Sequence, residues 1–479
     1  MKKVLCTLLL VMGSLLLCHA QTSLHGKIFV HPEGRYLQYE DGTPFFYLGD
    51  TAWELFHRLD RESARMYLSD RRMKGYTVIQ AVVLAELDGL KVPNAYGDLP
   101  FTDPGYSQPN ENYFRQVDFV INLADSLGMV IGLLPTWGDK FNKAWGVGPV
   151  IFDSPEKAEK YGRFLGNRYK EKKNIIWILG GDRDAKGYEE IIRKMARGIA
   201  LGISGKEDYS KCLMTFHPSG GASSATLFHS DEWLDFNMQQ NGHCYDTDVW
   251  NRIQGEYNRT PVKPVIDGEP LYDEHPICFD RDKYGTSTDF HTRRFFYHEV
   301  FSGALGHTQG CHAIWQMWTK DREPVNGPLR TWKESLPLIA SYQMGYGRKL
   351  IESRPFFSRI PDQTILLSET YNANDRITAT RDRSGSYAMV YTESGKPFEV
   401  DLGKLSGKKI RASWFDVRSG QFIGIGIYDG GKPQWFYPLT EGKGNDWVLV
   451  LDDLEANYPI RQIGNEDLLP HRINGKKRF

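Results

Sequence analysis

The stretch NIIWILGGDRD, residues 174–184, decides how the chain is read. Apolar residues run without alternation from Ile175 to Leu179, stop on Gly180-Gly181, and give way to Asp182, Arg183 and Asp184. An unalternating run rich in isoleucine and tryptophan reads as a strand buried on both faces, and such strands belong to parallel sheets covered by helices. In those sheets the chemistry collects where the strands end. Without a Cβ, the two glycines let the backbone turn sharply and carry the acids close to a ligand.

Working outward, similar runs recur at 45–48, 77–84, 129–134, 213–216, 236–238, 264–266 and 313–315. Amphipathic stretches at 61–74, 112–127, 155–169 and 188–200 lie between them. Eight strand–helix units in about 310 residues predict a (β/α)8 TIM barrel rather than an open doubly wound sheet. An open sheet more often carries a glycine-rich phosphate turn after its first strand. Here that turn is Gly49-Asp50-Thr51-Ala52-Trp53, with no GxGxxG.

The pattern changes near Ser353. Short alternating runs such as Tyr387-Ala388-Met389-Val390-Tyr391 and Trp447-Val448-Leu449-Val450-Leu451 alternate with turn signals such as Asp429-Gly430-Gly431. They predict a small all-β sandwich after the barrel. The domain reading is a signal peptide over 1–20, a barrel over 21–352, a sandwich over 353–465 and a basic tail over 466–479. Lys2 and Lys3, an apolar stretch from Val4 to Leu17 and the small-residue exit before Gln21 carry the signal-peptide reading. The chain is therefore expected to be exported to the periplasm. Leu16-Leu17-Cys18 leaves open an outer-membrane surface lipoprotein.

Composition excludes several classes. A formal net charge of −1 offers nothing to nucleic acid or to an anionic membrane surface. No later stretch has about 18 consecutive apolar residues, so no membrane span is expected. Cys212, Cys244, Cys278 and Cys311 lack CxxC spacing, and their disulfide state is not readable. Aromatic residues make up 13% of the chain, a content that suits either stacking on sugars or large cores.

Read together, the strand ends form a polar and aromatic ring. They supply Asp50, Trp53 and Glu54; Gln80, Glu86 and Asp88; Trp137, Asp139 and Lys140; Asp182, Arg183 and Asp184; His217; Gln239, Gln240 and His243; Asp267 and Glu269; and Trp315 and Trp318. The histidines stand singly, with no HxH or HExxH, and no serine sits in a GxSxG elbow. No metal and no cofactor are therefore expected. What remains is a carboxylate from strand 4 facing one from strand 7, with tryptophans around them. Glycoside cleavage needs such a pair: one group protonates the leaving oxygen while the other attacks or stabilises the anomeric carbon.

Each residue also has a plainer reading. Asp182 or Asp184 caps a helix near Tyr188, Glu269 pairs with an arginine, His217 is a satisfied rim histidine, and single tryptophans pack. The register of eight strands favours the joint functional reading. The alternative in another class is a non-catalytic carbohydrate- or matrix-binding protein that kept the barrel.

The acids at strands 4 and 7 resemble those of the large retaining glycosidase clan built on this fold. The stretches GDTAWELF, WILGGDRD, TFHPSG and PVIDGEP, followed by a β-sandwich, more narrowly resemble secreted Bacteroidetes proteins that include glycoside hydrolase family 140. Those are apiosidases acting on the pectin rhamnogalacturonan II. The resemblance implies Asp182 as acid/base and Glu269 as nucleophile of a double displacement on a pectic oligosaccharide. Asp50, Trp53, Gln80, Glu86, Trp137, Arg183, His217, Gln240 and Trp315 are read as substrate-binding, in a protein expected to be a monomer. The clan usually has Asn-Glu where this chain has Gly181-Asp182, a departure that favours an unusual sugar such as a branched furanose. Another β-glycosidase or an arabinofuranosidase is the alternative. The family's second module is named for collagen binding, but residues 353–479 show no ligand site and read as an accessory sandwich.

Overall fold

The computed structural model describes residues 25–371 and 375–469. The signal-peptide reading of 1–20 and most of the basic tail lie outside the described residues.

Eight parallel strands form the barrel wall. They are β1 (Tyr47–Thr51), β2 (Val78–Leu84), β3 (Val130–Thr136), β4 (Ile175–Gly180), β5 (Met214–His217), β6 (Asn237–Gln239), β7 (Val265–Asp267) and β8 (Gly306–Gln309). Six of them pair in the order β8-β1-β2-β3-β4-β5, and β6 pairs with β7. Single backbone hydrogen bonds close the ring, from Asp235 N–H to Met214 O between β5 and β6, and from Leu305 N–H to Val265 O between β7 and β8. Every residue of β2 and β3 is buried, as expected for strands covered on both faces.

Seven of the helices around the barrel run to nine residues or more: α1 (Arg61–Met73), α2 (Glu111–Ser126), α3 (Pro155–Tyr169), α4 (Glu189–Ser204), α5 (Val249–Tyr257), α6 (Asp289–Phe301) and α7 (Ile339–Glu352). The two that flank β4 pack backbone to backbone. A Cβ on Gly162, Gly166, Gly198 or Gly202 would come within 2.5 Å of a carbonyl oxygen of the facing helix. This tight seam fixes the strand that delivers Asp182.

Strand 8 corrects the sequence reading. It is Gly306–Gln309, whereas Ala313, Ile314 and Trp315 lie on a short helix, His312–Trp315. The true strand is polar because its side chains have buried partners: His307 Nδ1 lies 2.7 Å from Glu299 Oε2, and Gln309 Oε1 accepts from the Tyr76 hydroxyl. An apolar-run criterion passes over such a segment.

Beyond α7 the chain forms a six-stranded antiparallel sheet. Its strands are β9 (Arg359–Pro361), β10 (Ile377–Asp382), β11 (Tyr387–Thr392), β13 (Lys409–Asp416), β14 (Gln421–Asp429) and β16 (Trp447–Asp453), in the order β9-β10-β11-β16-β13-β14. A two-stranded ladder of β12 (Phe398–Asp401) and β15 (Pro433–Phe436) covers one face. Alternation assigns the two faces. Ala388, Val390, Leu449 and Leu451 join Phe398 and Phe436 in the sandwich core, while Tyr387, Met389, Tyr391, Val448 and Val450 join the barrel's core. Packing continues past residue 465, since Leu468 is buried against Gly345.

Candidate active site

The glycine pair at the end of β4 is required twice over. Gly180 and Gly181 have φ of 86° and 120°, values that L side chains rarely adopt. A Cβ on Gly180 would stand 2.5 Å from His217 O, and one on Gly181 2.8 Å from the Trp137 ring. Asp182 follows with φ 49°, a left-handed conformation that aspartate tolerates better than most residues. Its backbone N–H donates to His217 Nδ1 at 3.2 Å. The other nitrogen of that imidazole, Nε2, lies 3.2 Å from Glu269 Oε2. His217, fully buried at the end of β5, is therefore wedged between the two acids.

Glu269 follows β7 through Asp267-Gly268. Asp267 Oδ1 accepts from the backbone N–H of Asn241 and of Glu269 itself, which ties the β6 and β7 loops together. His243 brings its Nε2 to 3.3 Å from Glu269 Oε1. Burial pushes the Glu269 carboxyl up, but the two imidazoles outweigh it and hold the group below its ordinary value. Asp182 moves the opposite way. Burial, and then the charge of Glu269, raise it to about 6, against the opposing pull of His217 and Arg183. The mouth thus holds one carboxyl ionised and the other protonated over a shared pH range.

Arg183, fully buried, stands behind Asp182 and donates from Nη1 to Asp182 O at 2.7 Å and Oδ2 at 3.1 Å. Its Nη2 is 3.9 Å from Glu86 Oε1. Burial, and next the charge of Asp182, raise Glu86 to about 8. Trp53 and Trp137 pack on each other at 5.0 Å between ring centroids and on His217 at 5.4 and 5.9 Å. Gln240 lies on the Asp182 side, where its side-chain hydrogen bond opposes the upward shift of that acid.

The barrel matches the family model described as "Apiosidase-like, catalytic domain" over residues 31–358. The chain belongs to the apiosidase-like family. The sandwich matches "Putative collagen-binding domain of a collagenase" over residues 360–452. A solved structure titled "Glycoside hydrolase" is 34% identical at a TM-score of 0.83, covering 91% of this chain and 98% of that one. A glycoside hydrolase family 5 structure from Bacteroides vulgatus is 33% identical at the same TM-score, covering 91% and 95%. No curated protein matches the chain. This apiosidase-like protein is a glycoside hydrolase.

Not every strand-end residue of the apiosidase-like barrel faces the mouth. Asp50 points outward, where its Oδ2 accepts from Tyr67 Oη at 2.6 Å and Arg71 Nε at 2.5 Å on α1. It anchors that helix. Gln80 is buried inside the barrel with both ends engaged, accepting from Tyr47 Oη and donating to Gly268 O. It braces the turn before Glu269. Trp315, on the helix after β8, donates to His312 Nδ1, and the rings of His312, His275 and His243 follow one another at 4.5 and 4.1 Å toward Glu269. Asp184 forms a local turn, accepting from Lys186 N–H, and is exposed.

Two residues gain roles that sequence reasoning did not assign. His243 appears among the strand ends without a function, and Tyr272 does not appear at all. Tyr272 lies 4.7 Å from the His243 ring, and burial, then the charge of Glu269, raise its phenol well above the ordinary value. Both sit in loops after β6 and β7, where an aromatic or a histidine close behind a strand-end acid is the available signal. A disulfide between Cys244 and Cys278 joins those loops beside His243, and Cys212 and Cys311 are free and buried.

Proposed function

We propose that the protein is a retaining glycosidase of glycoside hydrolase family 140 type, releasing apiose-linked oligosaccharides from rhamnogalacturonan II. The observation that carries the reading is the pair of unlike carboxyls around His217. Glu269 is held ionised by two imidazoles and Asp182 is held protonated by burial and by that charge. In the first step Glu269 attacks the anomeric carbon as the bond to the leaving oxygen breaks, and Asp182 gives that oxygen its proton. The now ionised Asp182 then takes a proton from water, whose oxygen displaces Glu269 from the sugar and restores both groups.

The family match and the short acid at the end of β4 support an unusual sugar over an ordinary pyranoside. Trp53, Trp137, His217, Gln240, Glu86 and Arg183 are the residues we assign to holding it, in a monomer that works in the periplasm. Among the described residues no helix is long and apolar enough to cross a membrane. Digesting rhamnogalacturonan II oligosaccharides with the purified protein and identifying the new reducing end tests the reading. A terminal apiose is expected. Release of arabinose or of a pyranose instead would replace the apiose assignment with another glycosidase.

A further inference from the structure

Trp145 has no part in the pair chemistry, yet it packs on the arginine that binds the acid. It is 67% exposed, whereas Trp53 and Trp137 are 1% and 2% exposed. A tryptophan that packs a core loses most of its surface, and this one keeps it. One face of its indole rests on the guanidinium of Arg183, with Cζ 4.0 Å from the ring centroid. The same guanidinium binds both the backbone and the side chain of Asp182.

The loop that carries Trp145 is built to stay in place. Gly146 fits against the site so closely that a Cβ would fall 2.3 Å from Asp139 Cβ and 2.8 Å from Arg183 Nη2. Asp139 Oδ2 accepts from the Gly148 N–H at 2.8 Å. The other oxygen of Asp139 accepts from Lys140 Nζ, which also donates to Ala85 O. The ring is thus held by its neighbours while most of it faces outward. Glu86, itself part-exposed, flanks the same arginine and offers a polar group next to the ring.

A general acid protonates the oxygen that leaves, so the leaving portion of the substrate must lie on the acid's side of the cleavage point. On the Asp182 side, the Trp145 ring offers an exposed flat surface above Arg183. We propose that Trp145, seated on Arg183, is the platform for the leaving-group sugar, so that this side of the mouth accepts an oligosaccharide chain by stacking one of its apolar C–H faces. This rests on the assignment of Asp182 as the acid, made above. Trp145 is a specificity residue and takes no part in bond making.

The test compares two leaving groups on one sugar. Trp145→Ala and Trp145→Phe are assayed on the oligosaccharide that the wild type cleaves and on the glycosyl fluoride of the sugar it releases. Fluoride departs without an aglycone and needs no stacking face. Trp145→Ala is expected to lower kcat/KM on the oligosaccharide about tenfold, mainly through KM, the scale of one lost aromatic contact. Phe should recover most of the loss, and the fluoride should be cleaved at the wild-type rate. Equal losses on both substrates, or no loss on either, would overturn the platform. The identity of the released sugar is read from the wild type alone, so an error in the apiose assignment shows separately.

Discussion

The barrel mouth and the seam between barrel and sandwich both bury charge, and they do so differently. At the seam, Arg293 on α6 meets Asp446 through two bonds of 2.9 Å, and Arg354 meets Asp452 the same way at 3.0 and 2.9 Å. His298 adds a bond to Glu393, which also takes Arg294. Each of these carboxylates is matched by a planar or cationic donor. At the mouth, Glu269 faces imidazoles at 3.2 and 3.3 Å, and Arg183 leaves Nε and Nη2 without a hydrogen bond. Matched pairs hold two domains in one arrangement. Mismatched ones leave a carboxyl able to change its bonding during a reaction.

The largest expected effect breaks the chemistry. Glu269→Gln and Asp182→Asn should each lower activity at least about 10³-fold while the far-UV spectrum stays native, the scale of losing a nucleophile or a proton donor. Asp184→Ala should cost far less, because that side chain only closes a turn. An inactive Asp184→Ala beside an active Asp182→Asn would reverse the assignment.

The seam should respond in the opposite currency, stability. Arg293→Ala leaves Asp446 buried without its guanidinium partner, and removing half of such a pair costs about 3–5 kcal/mol. Urea unfolding should show that loss while the folded fraction keeps its kcat. Glu269→Gln removes a carboxylate that the fold holds ionised, so it should also lower the unfolding midpoint, but by less than Arg293→Ala does. A large destabilisation from Glu269→Gln would erase the distinction between the two regions.

A smaller effect separates the two acids by pH. Asp182 must carry a proton to act first, and its raised value keeps that proton up to about pH 6. Above that, kcat/KM should fall about tenfold per pH unit, while the acid limb belongs to Glu269, held low. Arg183 pulls Asp182 down, so Arg183→Met should move the alkaline limb upward. His243→Gln removes one support of the Glu269 charge and should move the acid limb upward, with a milder loss near neutrality. Limbs that stay in place in both variants would disconnect those residues from the acids.

Much of this was legible in the chain because buried strands announce themselves. WILGGDRD marks an unalternating strand, and its glycines are required by both φ and space at Gly180 and Gly181. Strand 8 was misplaced because His307 and Gln309 have buried polar partners supplied by Glu299 and Tyr76, which only the closed barrel reveals. Asp50 faces α1 because side chains alternate along a strand, and the register that turns it toward Arg71 is not written locally. Gln80 lies within β2 rather than at its end, so its amide meets Gly268 inside the wall. The contribution of His243 depends on how two loops meet, and nothing in the spacing of either loop encodes that.

The central claim is that Glu269 attacks and Asp182 protonates. Proton NMR of the first anomer formed by the wild-type enzyme, before mutarotation, tests it most directly. Two displacements at one carbon return the starting configuration, so a retained anomer is the predicted result. An inverted first product would mean that water attacks directly, and the double displacement on Glu269 would be wrong.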